Sequence, residues 1–131
     1  MDCIFCKIVA GEIPSVKIWE DDDFIALLDV FPACKGQTLV MPKQHYDSDI
    51  FVMDDDIYSK LMLATKEVVE LLKQGLGVEK IGMVVEGLQV SHAHVKLYPF
   101  RGGKSFEGGL TGHVSADMNE LQKLADSLNI S

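Results

Sequence analysis

Residues 90–99 read Val-Ser-His-Ala-His-Val-Lys-Leu-Tyr-Pro. On a strand, side chains alternate, so His92, His94 and Lys96 share one face while Ala93, Val95 and Leu97 share the other. One face suits chemistry and the other suits a core. Two imidazoles beside a fixed cation can hold a metal, attack a phosphorus atom, or divide those tasks between them.

Other residues with chemical potential are spread along the chain. Cys3 and Cys6 are separated by two residues on what reads as one or two helical turns closed by Gly11. Such a turn aims both thiols the same way, which suits a metal; two small buried residues would look alike in sequence. His45 lies in a loop and gains meaning only if it meets Cys3, Cys6 and His92 in space. Asp29 follows a strand, where a turn residue or cap is an equally good reading. Lys43, Lys96, Arg101 and Lys104 could form a local positive site for a small anionic ligand.

The elements that must position these residues follow from hydrophobic period and turn signals. Residues 16–20 and 24–28 are β-rich runs joined by Asp21-Asp22-Asp23, a hairpin, and residues 37–41 form a third strand stopped by Pro42. From 54 to 74 the period is helical, with Ile57, Leu61, Ala64, Val68 and Leu71 or Leu72 on one stripe. The triplet Asp54-Asp55-Asp56 suits the helix N-terminus, and Gly75 with Gly77 ends it. Residues 81–85 and 90–99 make a second hairpin, then comes a glycine-rich basic segment, 101–113, in which His113 has no assigned role. Residues 115–128 predict a last helix, with Ser115 as candidate cap and Met118, Leu121, Leu124, Ala125 and Leu128 as its apolar face. Adjacent hairpins with helices imply an antiparallel α+β sandwich in a single domain, 1–131.

The whole chain narrows the classes. Its 131 residues suffice for one core, and no apolar run approaches the ~18 residues of a membrane span. A formal charge of -8 argues against an extended nucleic-acid surface. No basic start followed by an apolar core marks a signal peptide, and three cysteines do not make a disulfide framework, so a cytoplasmic location is expected.

With its motifs placed, the sequence resembles the histidine triad family, whose signature is His-x-His-x-His followed by two apolar residues. The pieces that match, in order, are residues 3–14 (Cys-Ile-Phe-Cys-Lys-Ile-Val-Ala-Gly-Glu-Ile-Pro), 26–30 (Ala-Leu-Leu-Asp-Val), 36–45 (Gly-Gln-Thr-Leu-Val-Met-Pro-Lys-Gln-His) and the triad. The resemblance implies a five-stranded antiparallel sheet with one long helix and short terminal helices, and a homodimer. It implies a hydrolase or transferase acting on nucleoside monophosphates held in phosphoramidate or dinucleoside polyphosphate bonds, with a purine nucleotide as substrate. The central triad histidine, here His94, would attack phosphorus and become transiently nucleotidylated. It further implies structural zinc on Cys3, Cys6, His45 and His92, ribose contacts from Asp29, and a base pocket lined by Ile18, Leu27 and Val30.

Three departures from the family pattern set expectations of their own. The third triad position is Lys96, a point charge in place of an imidazole. Gln37 stands where many members have histidine, keeping a donor near the nucleotide. The loop before the triad is short, Gly87-Leu88-Gln89-Val90-Ser91, with Gln89 or Ser91 as substitute donor. Two readings follow: an enzyme working through His94 and Lys96, or a zinc-stabilised nucleotide-binding or signalling module whose altered triad turns over weakly or not at all.

Overall fold

The computed structural model describes residues 3–101 and 115–128. The glycine-rich expectations, with Lys104 and His113, fall on 102–114 and lie outside the described residues. The chain begins with helix α1, Ile4–Val9, capped by the Cys3 sulfur, which accepts from the Cys6 amide at 3.4 Å. Gly11, at φ +80°, ends that turn as expected. Strands β1, Lys17–Glu20, and β2, Phe24–Leu28, form the first hairpin, in which the Asp21 carboxylate accepts from the Asp23 and Phe24 amides. Strand β3, Thr38–Pro42, follows, then a 3-10 turn, Ile50–Val52, and the long helix α2, Asp55–Leu76. Strands β4, Lys80–Val84, and β5, Val95–Phe100, precede helix α3, Met118–Leu128.

The five strands form one antiparallel sheet in the order β1-β2-β3-β5-β4. Its two faces carry different cores, as alternation requires. Phe24, Ala26, Leu28, Val40, Val95 and Leu97 point to one side, where Leu61, Val68 and Leu72 of α2 and Leu121, Ala125 and Leu128 of α3 cover them. Burial of each large aliphatic chain there stabilises by about 1.5–3 kcal/mol. Ile25, Leu27, Leu39 and Met41 point to the other side, where Cys3 and Phe5 pack on them. The helix-free part of that second face is the surface on which chemistry can be built.

Three boundaries differ from the sequence reading. Ladder pairing of β5 starts at Val95, so His92 and His94 lie on the extended lead-in to the strand, yet the alternation persists: Ala93 joins the helix-side core with Val95 and Leu97. Helix α3 starts at Met118, and its cap is Asp117, whose carboxylate accepts from the Asn119 amide at 2.8 Å; Ser115 lies two residues too early to reach the first turn. Helix α2 runs to Leu76, past Gly75, and stops at Gly77 in the left-handed region.

The short β4–β5 connection is tied to the segment after β3. Gly87 has φ +70°, and its carbonyl accepts from the Ser48 hydroxyl at 2.8 Å. A Cβ at Gly87 would sit 2.8 Å from the Ser48 carbonyl oxygen, whereas one at Gly77, φ +67°, would meet nothing within 4 Å. Gly77→Ala should cost about 1 kcal/mol from the backbone alone, and Gly87→Ala about 1–2 kcal/mol more because backbone must shift. Urea unfolding of the two variants reads the difference; equal losses would mean that the close approach carries no energetic weight.

Candidate functional site

Cys3, Cys6, His45 and His92 come together from three places in the chain, with their ligand atoms all within 4.8 Å of one another. The Cys3 sulfur lies 3.4 Å from His92 Nδ1, and the Cys6 sulfur lies 3.4 Å from His45 Nδ1 and 3.5 Å from His92 Nδ1. Metal bonds of about 2.3 Å to sulfur and 2.0–2.1 Å to nitrogen put the S···N edge of a tetrahedron at about 3.5 Å. The donor set therefore fits a tetrahedral, zinc-type cation with all four positions filled by protein. His92 is 0% exposed, and its Nε2–H donates to the Pro42 carbonyl at 2.8 Å. That bond fixes the tautomer and leaves Nδ1 bare toward the sulfurs, which is how metal-binding histidines are oriented. Burial pushes the His92 pKa down, keeping the ring neutral. Burial and neighbouring Cys3 push the Cys6 thiol up; a divalent cation between the sulfurs would reverse this. The third cysteine, Cys34, is apart from the cluster, its thiol pushed up to about 11 by burial.

His94, two residues on, has the opposite arrangement. Its Nδ1 lies 2.8 Å from the His92 carbonyl, which can only accept, so Nδ1 carries the proton and Nε2 is the unprotonated atom. The side chain is 4% exposed and lines a cavity of ≈ 440 Å³, within the range of about 300–1,000 Å³ common for small-molecule sites. Burial lowers its pKa; the bond to the His92 carbonyl opposes this, and nearby Lys96 adds to it. The Phe5 ring stands edge-on to His94, with centroids 5.0 Å apart, and also edge-on to His92, at 5.8 Å. One aromatic ring thus touches both histidines.

Asp29, Leu27, Val30, Gln37, Gln89 and Lys96 all line the same cavity. The Asp29 carboxylate accepts from the Phe31 amide at 2.9 Å and from Gln37 Nε2 at 2.8 Å. Lys96 is buried, and its ammonium lies 3.3 Å from Glu86.

Other expectations are not met. Ile18 packs in the core between sheet and helices, near a register shift of the β1–β2 ladder, and does not line the cavity. Ser91 is exposed and outside the lining. Of the cations expected to gather, Lys43 instead pairs with Glu20 at 2.7 Å, and Arg101 is exposed; among the described residues Lys96 is the one that reaches the cavity. The apolar wall comes from residues not assigned to it: Ile4, Phe5 and Ile8 of α1, and Ile13 after it. Their apolar spacing was legible, but an apolar face that packs on a core and one that walls a cavity look alike in sequence. Glu86 read as a turn residue; counting along the second hairpin would have found it, since Val84 pairs with Lys96 and Glu86 lies two positions further on the same side.

Comparison with known proteins agrees with this geometry. The HIT domain profile matches residues 10–102. A HIT-like protein of Methanocaldococcus jannaschii is 41% identical over 102 residues, 74% of this chain and 78% of its own. An adenosine 5'-monophosphoramidase of Candida albicans is 29% identical over 135 residues, 96% of this chain and 88% of its own. The crystal structure of a Zn-bound histidine triad family protein from Mycobacterium smegmatis is 27% identical, with a TM-score of 0.75 covering 98% of this chain and 94% of that one. With the sheet order, the paired cysteines and the two histidines of opposite tautomer in place, this chain belongs to the HIT, or histidine triad, family.

Proposed function

We propose that this protein hydrolyses or transfers a nucleoside monophosphate, cleaving it from a phosphoramidate or dinucleoside polyphosphate through a nucleotidyl intermediate on His94. The observation that carries the reading is the tautomer of His94. With Nδ1–H donated to the His92 carbonyl, Nε2 presents its lone pair to a cavity that also holds Asp29 and Lys96. Nε2 attacks phosphorus, the bond to the leaving group breaks, and the leaving group takes a proton from water. The ring is then cationic, and the His92 carbonyl stabilises the proton on Nδ1. Water then attacks phosphorus, the P–N bond breaks with its electron pair returning to Nε2, and the proton that water releases neutralises the hydroxide left by the first step, so the ring is again neutral.

The surroundings support a purine nucleotide. Ile4, Phe5, Ile8, Ile13, Leu27 and Val30 form an apolar wall suited to a flat base, and the Asp29 carboxylate suits ribose hydroxyls. The Candida albicans relative bears the name of an enzyme for this class of substrate. Zinc on Cys3, Cys6, His45 and His92 would be structural. It would cross-link the chain start, the segment after β3 and the lead-in to β5, and four protein donors would leave no position for a reacting group. The whole chain acts as one domain, and a homodimer belongs to the same proposal, with β4 at the sheet edge and Met83 half-exposed on it. Light scattering after size exclusion distinguishes one chain from two.

Turnover of adenosine phosphoramidate by the purified protein, followed as release of AMP, tests the reading. No turnover with AMP still bound would favour the binding-module reading, for which the Lys96–Glu86 pair gives a reason: the cation facing the phosphate is already shared. Lys96→Met should lower kcat/KM about tenfold, and Glu86→Gln should tighten AMP binding about threefold by freeing the ammonium. Calorimetric titration with AMP checks the second; weaker binding would mean that Glu86 orders Lys96 rather than competing for it.

A further inference from the structure

Gln37 stands directly across from Asp29 at the end of the β2–β3 ladder. The Asp29 amide donates to the Gln37 carbonyl at 2.9 Å, one step beyond the Leu28↔Thr38 pair. The Gln37 side chain is 2% exposed, and both ends of its amide are engaged. Oε1 accepts from the Ala33 amide at 2.5 Å, and Nε2 donates to Asp29 Oδ2 at 2.8 Å. Because the Ala33 N–H can only donate, it fixes which end of the amide is which, and the NH₂ end must face the carboxylate. Asp29 Oδ1 is held in turn by the Phe31 amide at 2.9 Å. Each carboxylate oxygen therefore has one bond inside the protein and a further lone pair to offer.

We propose that Gln37 is a positioning residue that fixes Asp29 as a two-point receptor for a vicinal diol, and thereby makes the site discriminate ribonucleotides from 2′-deoxyribonucleotides. The proposal rests on the nucleotide reading above. A carboxylate free to turn can still meet one hydroxyl, but meeting two at once requires both oxygens to be held. Gln37 should therefore govern the preference between the two sugars more than the affinity for either. Its second bond, to Ala33, anchors the loop that carries Val30 and Phe31 along the same cavity wall.

The test is titration calorimetry with AMP and with 2′-deoxy-AMP. The parent should bind AMP at least about tenfold more tightly, since a site built to bond a hydroxyl rejects the analogue lacking it. In Gln37→Met, which keeps the volume and removes both amide bonds, the two affinities should come within about threefold of each other. In an Asp29→Ala background the same change should alter AMP affinity by less than about twofold, because Gln37 acts through the carboxylate. Gln37→Asn, whose amide is too short to span both partners, serves the same comparison if the methionine variant does not fold. A Gln37→Met protein that discriminates as the parent does overturns the role of Gln37 alone. A parent that binds both nucleotides equally overturns the two-point receptor, and a parent that binds neither overturns the nucleotide reading with it.

Discussion

His94→Ala should lose at least about 10³-fold in turnover of adenosine phosphoramidate while retaining AMP binding and full metal content. The expected size follows from what is removed. A covalent route has no second-best atom when its nucleophile is gone, and what remains is binding and electrostatic stabilisation. His94 and His92 share a face, and the His94 ring donates to the His92 backbone carbonyl, yet their ring nitrogens are used in opposite ways. In His92, Nε2 is tied to Pro42 and Nδ1 faces the cysteines; in His94, Nδ1 is tied to the His92 carbonyl and Nε2 remains free. Truncating His94 leaves the four-residue cluster intact, so emission spectroscopy should find unchanged zinc. The ring does pack on Phe5, with centroids 5.0 Å apart, so a modest stability loss of about 1–2 kcal/mol is expected as well. Steady-state kinetics and AMP titration on the same preparation separate loss of chemistry from loss of fold. Metal lost with His94 would mean that the roles of the two histidines are exchanged.

Cys6→Ser should release the metal and lower the unfolding midpoint by on the order of 10 °C. A site saturated a hundredfold over its dissociation constant contributes about 2.7 kcal/mol, and in a domain of this size each kcal/mol moves the midpoint by several degrees. The consequence reaches beyond stability. Helix α1 has six residues, too few to persist alone, and it is held by Cys3 at its cap, Cys6 within it and the packing of Phe5. That same helix contributes Ile4, Phe5 and Ile8 to the cavity wall. Loss of the cation should therefore weaken AMP binding several-fold, even though no cluster residue lines the cavity. Cys34→Ser, at a cysteine apart from the cluster, is the control and should change neither zinc content nor AMP affinity. Scanning calorimetry with and without chelator provides the check; an unchanged midpoint would remove the structural cation from the account.

The face carrying His92, His94 and Lys96 was legible because period two survives even where ladder pairing stops short of it: Ala93, Val95 and Leu97 enter the core together. The metal cluster was legible as residue types, but its closure depends on β3 and the lead-in to β5 coming side by side, which the antiparallel order of the sheet supplies. Ile18 shows the limit. It is apolar and lies on a strand near the site in sequence, but the register shift between Lys17 and Trp19 and the packing of β1 under the helices place it on the far side of the sheet. Glu86 shows another limit. A turn carboxylate gains its meaning from a lysine ten residues on, and only the hairpin register reveals that the two meet. The residue type of Gln37 reads as a hydrogen-bond donor near the nucleotide; the ladder sets it opposite Asp29, where that donor is spent on the neighbouring carboxylate.

The division between a histidine tied into the metal cluster and a histidine left free for phosphorus is tested most directly by trapping the intermediate. The protein would be mixed with adenosine phosphoramidate, quenched rapidly under alkaline conditions that spare P–N bonds, digested and mapped by mass spectrometry. One adenylyl group should appear on the peptide that spans residues 90–99, located on His94 by fragmentation and missing in the His94→Ala protein. Turnover that proceeds with that peptide unmodified, or with the adenylyl group on His92, would contradict that division.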